Sequence, residues 1–327
     1  MTVAVTDKKQ ESWKYTDLAG AVRRLAVGDR LAAPVVKADK SPFVTALDQG
    51  RGLQIDVPAG ETARPIRIAV SGVDGKQSAP MLAVRLGAGA QATIIETHAG
   101  AGKFLNNATT HVILGKGAQL RHYRLQAYEA SSIYVQNTMV TVARDALYDT
   151  FTLTDGAALS RNEINVSLDG PGAHAELNGV NLLRGTQHGD TTITVEHRTA
   201  SCTSHQFYRT VLDNQARGVF QGKIYVAKDA QKTDGFQRSD ALLLAEGAEM
   251  DTKPELEIYA DDVKCSHGAT TGQLDEDALF YMRSRGIPLV EARALLIGAF
   301  VDEAVLKITD EKVRAEFAEK VRAWLGR

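Results

Sequence analysis

At 327 residues the chain can hold one large domain or two ordinary ones, and its 44% hydrophobic content is that of a globular protein. Its 38 basic residues stand against 40 acidic ones, which leaves no field to gather nucleic acid or an anionic membrane; neither is expected as a partner. Residues 1–30 lack the apolar core of a signal peptide, Asp7 and Glu11 argue against a transit peptide, and the two cysteines, Cys202 and Cys265, form no CxxC pair. A reducing cytoplasm is therefore the expected compartment.

The first predicted element is a short helical piece in "ESWKYTDLAGAVRRL", carrying Trp13, Leu18, Val22 and Leu25, within an N-terminal segment placed at residues 1–50. A repeat follows. The turn-like fragments "LGAGA", "LGKGA", "VARDA", "DGPGA", "RTASC" and "VAKDA" end at Ala90, Ala118, Ala146, Ala173, Cys202 and Ala230, spaced 28, 28, 27, 29 and 28 residues apart. Between them the hydrophobicity has period two, as in Ile164, Val166 and Leu168 of "EINVSLD" and Ile224 and Val226 of "GKIYVAK". A constant period without helices predicts a parallel β-solenoid over residues 51–272, one coil per repeat; a flatter β-sandwich has no reason to repeat at fixed length.

Several motifs within this region lead nowhere. Gly87-Ala-Gly89-Ala-Gln-Ala92 is followed by a strand pattern, so no helix N-terminus faces a phosphate. Gly115-Lys116-Gly117 has the wrong spacing for a P-loop, and no nucleotide is expected on this chain. HExxH and GxSxG are absent from the sequence, so no catalytic residue is assigned and no enzyme is expected. Cys202 takes the small-residue position of a turn and is expected to be structural. His98, His111, His122, His174, His188, His197 and His205 are scattered and are expected to be structural too, although His197 and His205 could approach each other in a coil.

Cys265 and His267, in "ADDVKCSHGAT", differ by their setting. Two residues apart on a strand, they project from one face. A pleat running unbroken from Leu256 would aim them away from Leu256 and Ile258, hence outward. Thiolate and imidazole suit zinc or an iron–sulfur centre, and both want about four ligands, so the rest would have to come from another chain. The alternative is an inert surface cysteine beside a solvated histidine.

From residue 273 the pattern turns helical, to residue 327. Asp275 is placed to cap a helix with Ala278, Leu279 and Met282 that stops at Gly286. Pro288 opens a second, with Leu289, Ala292, Leu295, Leu296, Ala299 and Phe300 expected on one side. Thr309 or Asp310 opens a third, with Val313, Phe317, Val321 and Trp324 in a stripe. The simplest role for both helical ends is to cap the solenoid.

The stretches "NQARGVFQGKIYVAKDAQKTDGFQRSDALLL", "KPELEIYADDVKCSHGATTGQLDEDALFYMRSRGI" and "EARALLIGAF", with the opening "ESWKYTDL", resemble the SufB/SufD family of iron–sulfur cluster assembly scaffold proteins. Residues 30–200 match mainly in style. Within the family the resemblance is to the SufD branch, because Gln237-Arg238-Ser239-Asp240 stands where SufB-type chains carry a cysteine. The resemblance implies a right-handed parallel β-helix with a C-terminal helical domain, pairing with a SufB-like subunit and docking of a SufC-like ATPase on the helices. Phe280, Tyr281, Arg283, Leu296 and Phe300 are the expected contacts for that ATPase. It further implies that His267, with Cys265 beside it, contributes to a transient cluster shared with SufB. A homodimer of the isolated chain stays open. Two rival readings remain at this point: a β-helix enzyme acting on polysaccharide, and a purely structural spacer that stabilises SufB.

Overall fold

A computed structural model describes residues 11–326, the side chain of Gln49 excepted. After a 3-10 turn at Glu11–Trp13 come α1 (Leu18–Leu25) and the short strands β1 (Val35–Ala38), β2 (Val44–Leu47), β3 (Gly52–Val57), β4 (Ile66–Ser71), β5 (Gln77–Ser78) and β6 (Met81–Leu86). The regular body follows with β7 (Gln91–Gly100), β8 (Leu105–Leu114), β9 (Gln119–Tyr128), β10 (Ile133–Val142), β11 (Leu147–Thr154), β12 (Leu159–Leu168) and β13 (His174–Leu183). It ends with β14 (His188–His197), β15 (Thr203–Leu212), β16 (Arg217–Val226), β17 (Thr233–Leu243), β18 (Glu249–Ile258) and β19 (Val263–Gly272). Then come α2 (Glu276–Ser284), α3 (Leu289–Val305) and α4 (Glu311–Leu325).

The strands alternate between two sheets, giving a parallel β-solenoid of about eight coils. One sheet runs β1-β4-β7-β9-β11-β13-β15-β17-β19 and the other β18-β16-β14-β12-β10-β8-β6-β3-β2. Each coil therefore spends one strand on each sheet, which is why the turns recur about every 28 residues. The small residues that mark the repeat, Ala90, Ala118, Ala146, Ala173, Cys202 and Ala230, are all buried at the corners. A larger side chain there would hold the coils apart; at Gly170 even a Cβ would collide with the Arg144 backbone of the coil before. Cys202 is an ordinary corner residue, its thiol donating to the Gly170 carbonyl.

The helical ends do not cap the stack; both lie along its flanks. Trp13, Leu18 and Ala21 pack on Leu105, Ile133, Val135 and Leu159, on the outside of the second sheet. Trp13 also covers the buried Arg161 guanidinium at 4.1 Å. On the other flank, Ile297, Val301, Val313, Phe317, Val321 and Trp324 cover Phe151, Leu153, Val180, Leu182 and Val211. Side capping follows from the burial problem: a parallel sheet needs cover on both faces, and the solenoid lumen supplies only one.

Helix starts behave as their caps dictate. Asp275 accepts hydrogen bonds from the Asp277 and Ala278 amides, and Asp310 from those of Lys312 and Val313. Gly286, at φ +85°, supplies the left-handed stop expected of it. The α4 stripe is buried as expected. That of α3 is not: Ala292, Ile297, Val301, Ala304 and Val305 face inward, while Leu289, Leu295 and Ala299 are exposed. A helix apolar on nearly every side gives no period from which to choose a face.

Candidate functional site

The two ends of the stack differ. At the N-terminal end the sheets finish in β1 and β2, four-residue strands paired antiparallel to β4 and β3. At the C-terminal end both sheets finish in ten-residue strands, β18 and β19, each with a single neighbour. Long unpaired edges with free backbone N–H and C=O groups are ready to pair with another chain.

Cys265 and His267 lie on that last coil, and their orientation differs from the sequence expectation. The turn at Tyr259–Asp262 separates β18 from β19, so no pleat runs through from Leu256. The parallel register sets Cys265 beside Gly235 and His267 beside Gln237, both of which face the lumen. A Cβ built at Gly235 would lie 3.3 Å from the Cys265 Sγ and 3.4 Å from Ile224, on the opposite sheet. Cys265 thus packs with Ile224, Val226, Leu256 and Val263 on the inward face. Both residues remain reachable, because among the described residues no further coil covers this one: Cys265 is half-buried and His267 is exposed. The pair lines the mouth of the lumen at the open end of the stack.

The electrostatics of the pair are unequal. Burial pushes the Cys265 thiol up, a hydrogen bond involving the Gly235 backbone pulling the other way. Cys265 is therefore a protonated thiol in the isolated chain at neutral pH, and ligation would need the proton removed. His267 meets solvent directly. Behind it, Gln237 and Gln206 continue a polar column into the lumen.

A polar chain ties this coil to the helices. On β19, Thr270 donates to Asp240 of β17 at 2.7 Å, and Asp240 meets Arg209 of β15, which in turn meets Glu303 of α3. The Arg209 guanidinium lies between the Phe207 and Phe300 rings, 4.4 and 5.0 Å from their centroids. Phe300, expected as a partner contact, is thus largely spent on the fold, and Leu296 is half-buried beside it. Phe280, Tyr281 and Arg283 are exposed as expected. Leu289, Val290 and Leu295 are further exposed apolar side chains on α3, an exposure that sequence reasoning missed, with Phe280 75% and Val290 79% exposed.

Among the histidines, His197 and His205 do not meet. His197 is buried and hydrogen-bonded to Ser204, whereas His205 lies on the outer face against Glu176, as does His174.

The chain is thus a parallel β-solenoid flanked by helices, with a Cys-x-His pair on its last, open coil. Residues 68–300 match the SUF system FeS cluster assembly, SufBD core domain, and the chain belongs to that family. It is 34% identical over 238 residues to the iron–sulfur cluster assembly protein SufD of Escherichia coli, covering 72% of this chain and 56% of that one. A SufBD family protein of Synechocystis is 36% identical over 205 residues (63% and 45%), and one of Mycobacterium leprae 31% over 319 residues (93% and 79%). The chain thus spans about half the length of the first two relatives.

Proposed function

We propose that this chain is the SufD-like subunit of a cytoplasmic SufBCD-type complex, pairing through its last coil with a SufB-like subunit and lending His267 to a transient iron–sulfur cluster between them. The open end carries this reading: two ten-residue edges frame an exposed imidazole and a half-buried thiol. Edge pairing supplies the join, and the missing ligands come from the facing chain. The chain itself is a non-enzymatic scaffold that binds no nucleotide. Its family favours this over a polysaccharide-acting enzyme. In the reconstituted complex, His267→Ala should lower bound iron and acid-labile sulfide about tenfold while subunit pairing persists, as for loss of a metal-supporting group. Cys265→Ser should cost less, because burial already disfavours its thiolate. Unchanged iron and sulfide in His267→Ala would leave only the spacer role.

The exposed apolar side chains of α2 and α3 serve as the docking contacts for a SufC-like ATPase. Phe280→Asp with Val290→Asp should weaken that binding by at least about 30-fold, the effect of losing a hot spot of roughly 2 kcal/mol, with the far-ultraviolet dichroism unchanged. Retained affinity, read by calorimetry, would move the contact elsewhere. Deleting the helices is a poor substitute, since it would uncover Phe151, Leu153, Val180 and Leu182.

A further inference from the structure

We propose that His174, Glu176 and His205 form a second, separate site for a divalent transition-metal cation on the outer face of the solenoid. His174 and Glu176 are two apart on β13 and share its outer face; the parallel register brings His205 of β15 directly beside Glu176. His174 Nε2 lies 2.9 Å and His205 Nδ1 2.8 Å from the same carboxylate oxygen, Glu176 Oε1. The three ligand atoms all fall within 4.8 Å of one another. Metal bonds of 2.0–2.2 Å at a tetrahedral centre set ligand atoms about 3.4 Å apart, so the two histidine–glutamate separations need open only by roughly half an ångström.

Three further features favour a cation over a plain ion-pair patch. The ligands stand on neighbouring strands whose spacing the ladder fixes, so little ordering is required on binding. The Thr203 hydroxyl meets His174 Nδ1; it orients that ring from behind, its oxygen accepting the hydrogen bond that Nδ1–H donates when Nε2 takes the metal. His205 is likewise freed for the metal when its proton resides on Nε2. The next group on the same face is the Asp149 carboxyl, paired in register with Glu176; the Phe236 ring closes the other side, 6.4 Å from His205. Arg121 and Lys307 are the nearby cations; Arg121 bonds Thr309 and Lys307 sits over Phe207, so each has another contact.

Two imidazoles and one carboxylate select zinc or ferrous iron over magnesium or calcium, and leave a coordination position open to solvent. The site is distinct from the terminal coil, so it stands or falls apart from the shared-cluster reading. The test uses the full chain carrying Cys265→Ser and His267→Ala, titrated by calorimetry with Zn2+, with Fe2+ under anaerobic conditions, and with Mg2+. One equivalent of Zn2+ and of Fe2+ should bind, Mg2+ should not, and adding His205→Ala or Glu176→Gln should weaken binding at least about 100-fold. The melting temperature of each variant checks folding, and Co2+ absorption should report nitrogen–oxygen ligation that His205→Ala removes. Zn2+ affinity and stoichiometry indifferent to His205→Ala and Glu176→Gln, absence of Zn2+ binding, or equal binding of Mg2+ would each overturn the proposal.

Discussion

Arg124→Met should lower the unfolding free energy by about 3–5 kcal/mol, the loss expected when one partner leaves a buried ion pair. Arg124 and Glu96 are lumen neighbours on β9 and β7, 2% exposed each, with the Arg124 Nε 3.2 Å from the carboxylate. His98 lies 2.8 Å and His122 2.5 Å from the same group. Burial works against an ionised Glu96, yet Arg124 and the two imidazoles more than offset it and hold that carboxyl well below its usual range. Removing the guanidinium leaves a carboxylate that must either stay charged in the lumen or take up a proton. The double variant Glu96→Gln/Arg124→Met should regain most of the loss, since no uncompensated charge remains. Urea unfolding at neutral pH distinguishes the outcomes: a single variant within about 0.5 kcal/mol of the parent would mean that water, rather than Arg124, satisfies Glu96.

This network also shows what the sequence conceals. The repeat was legible because the corners admit only small residues, and Ala90 to Ala230 print that restriction every coil. Alternation was legible where one strand face meets water, as in Ile164, Val166 and Leu168, buried between half-exposed neighbours. It fails in "NGVNLL" at the end of β13, continuously buried because α3 and α4 cover the outside. It fails again at Glu96, His122, Arg124, Gln206 and Gln237, polar residues that face inward. The orientation of Cys265 departs from the sequence expectation for a local reason: the turn before β19 restarts the pleat. The His174–Glu176–His205 cluster could have been found, since Glu176 and His205 are 29 residues apart, one coil of the repeat. The coil period places them side by side; proximity in sequence does not.

His197 offers the sharpest test of what burial does to this chain. It is fully buried, its Nε2 2.8 Å from the Ser204 hydroxyl and its Nδ1 without a hydrogen-bond partner among the described residues. Burial drives its pKa down to about 4, against a weaker opposing effect of the Cys202 backbone. The folded state therefore refuses a proton that the unfolded chain accepts near pH 6.5. Its contribution is fully present above that pH and fades as pH falls from 6.5 toward 4, by about 1.4 kcal/mol per pH unit, or roughly 3 kcal/mol in all. The whole-protein profile is not the measurement to make, because Asp149, pushed up to about 6 chiefly by burial, gains its proton early in the folded state and opposes the trend. The difference between the parent and His197→Gln isolates the one group, since glutamine keeps a neutral donor toward Ser204 and does not titrate. Urea unfolding of both at pH 7, 5.5 and 4 should show the parent losing about 3 kcal/mol relative to the variant. A constant difference across that range would mean that His197 takes up its proton in the folded protein and that the corner of the coil opens to water.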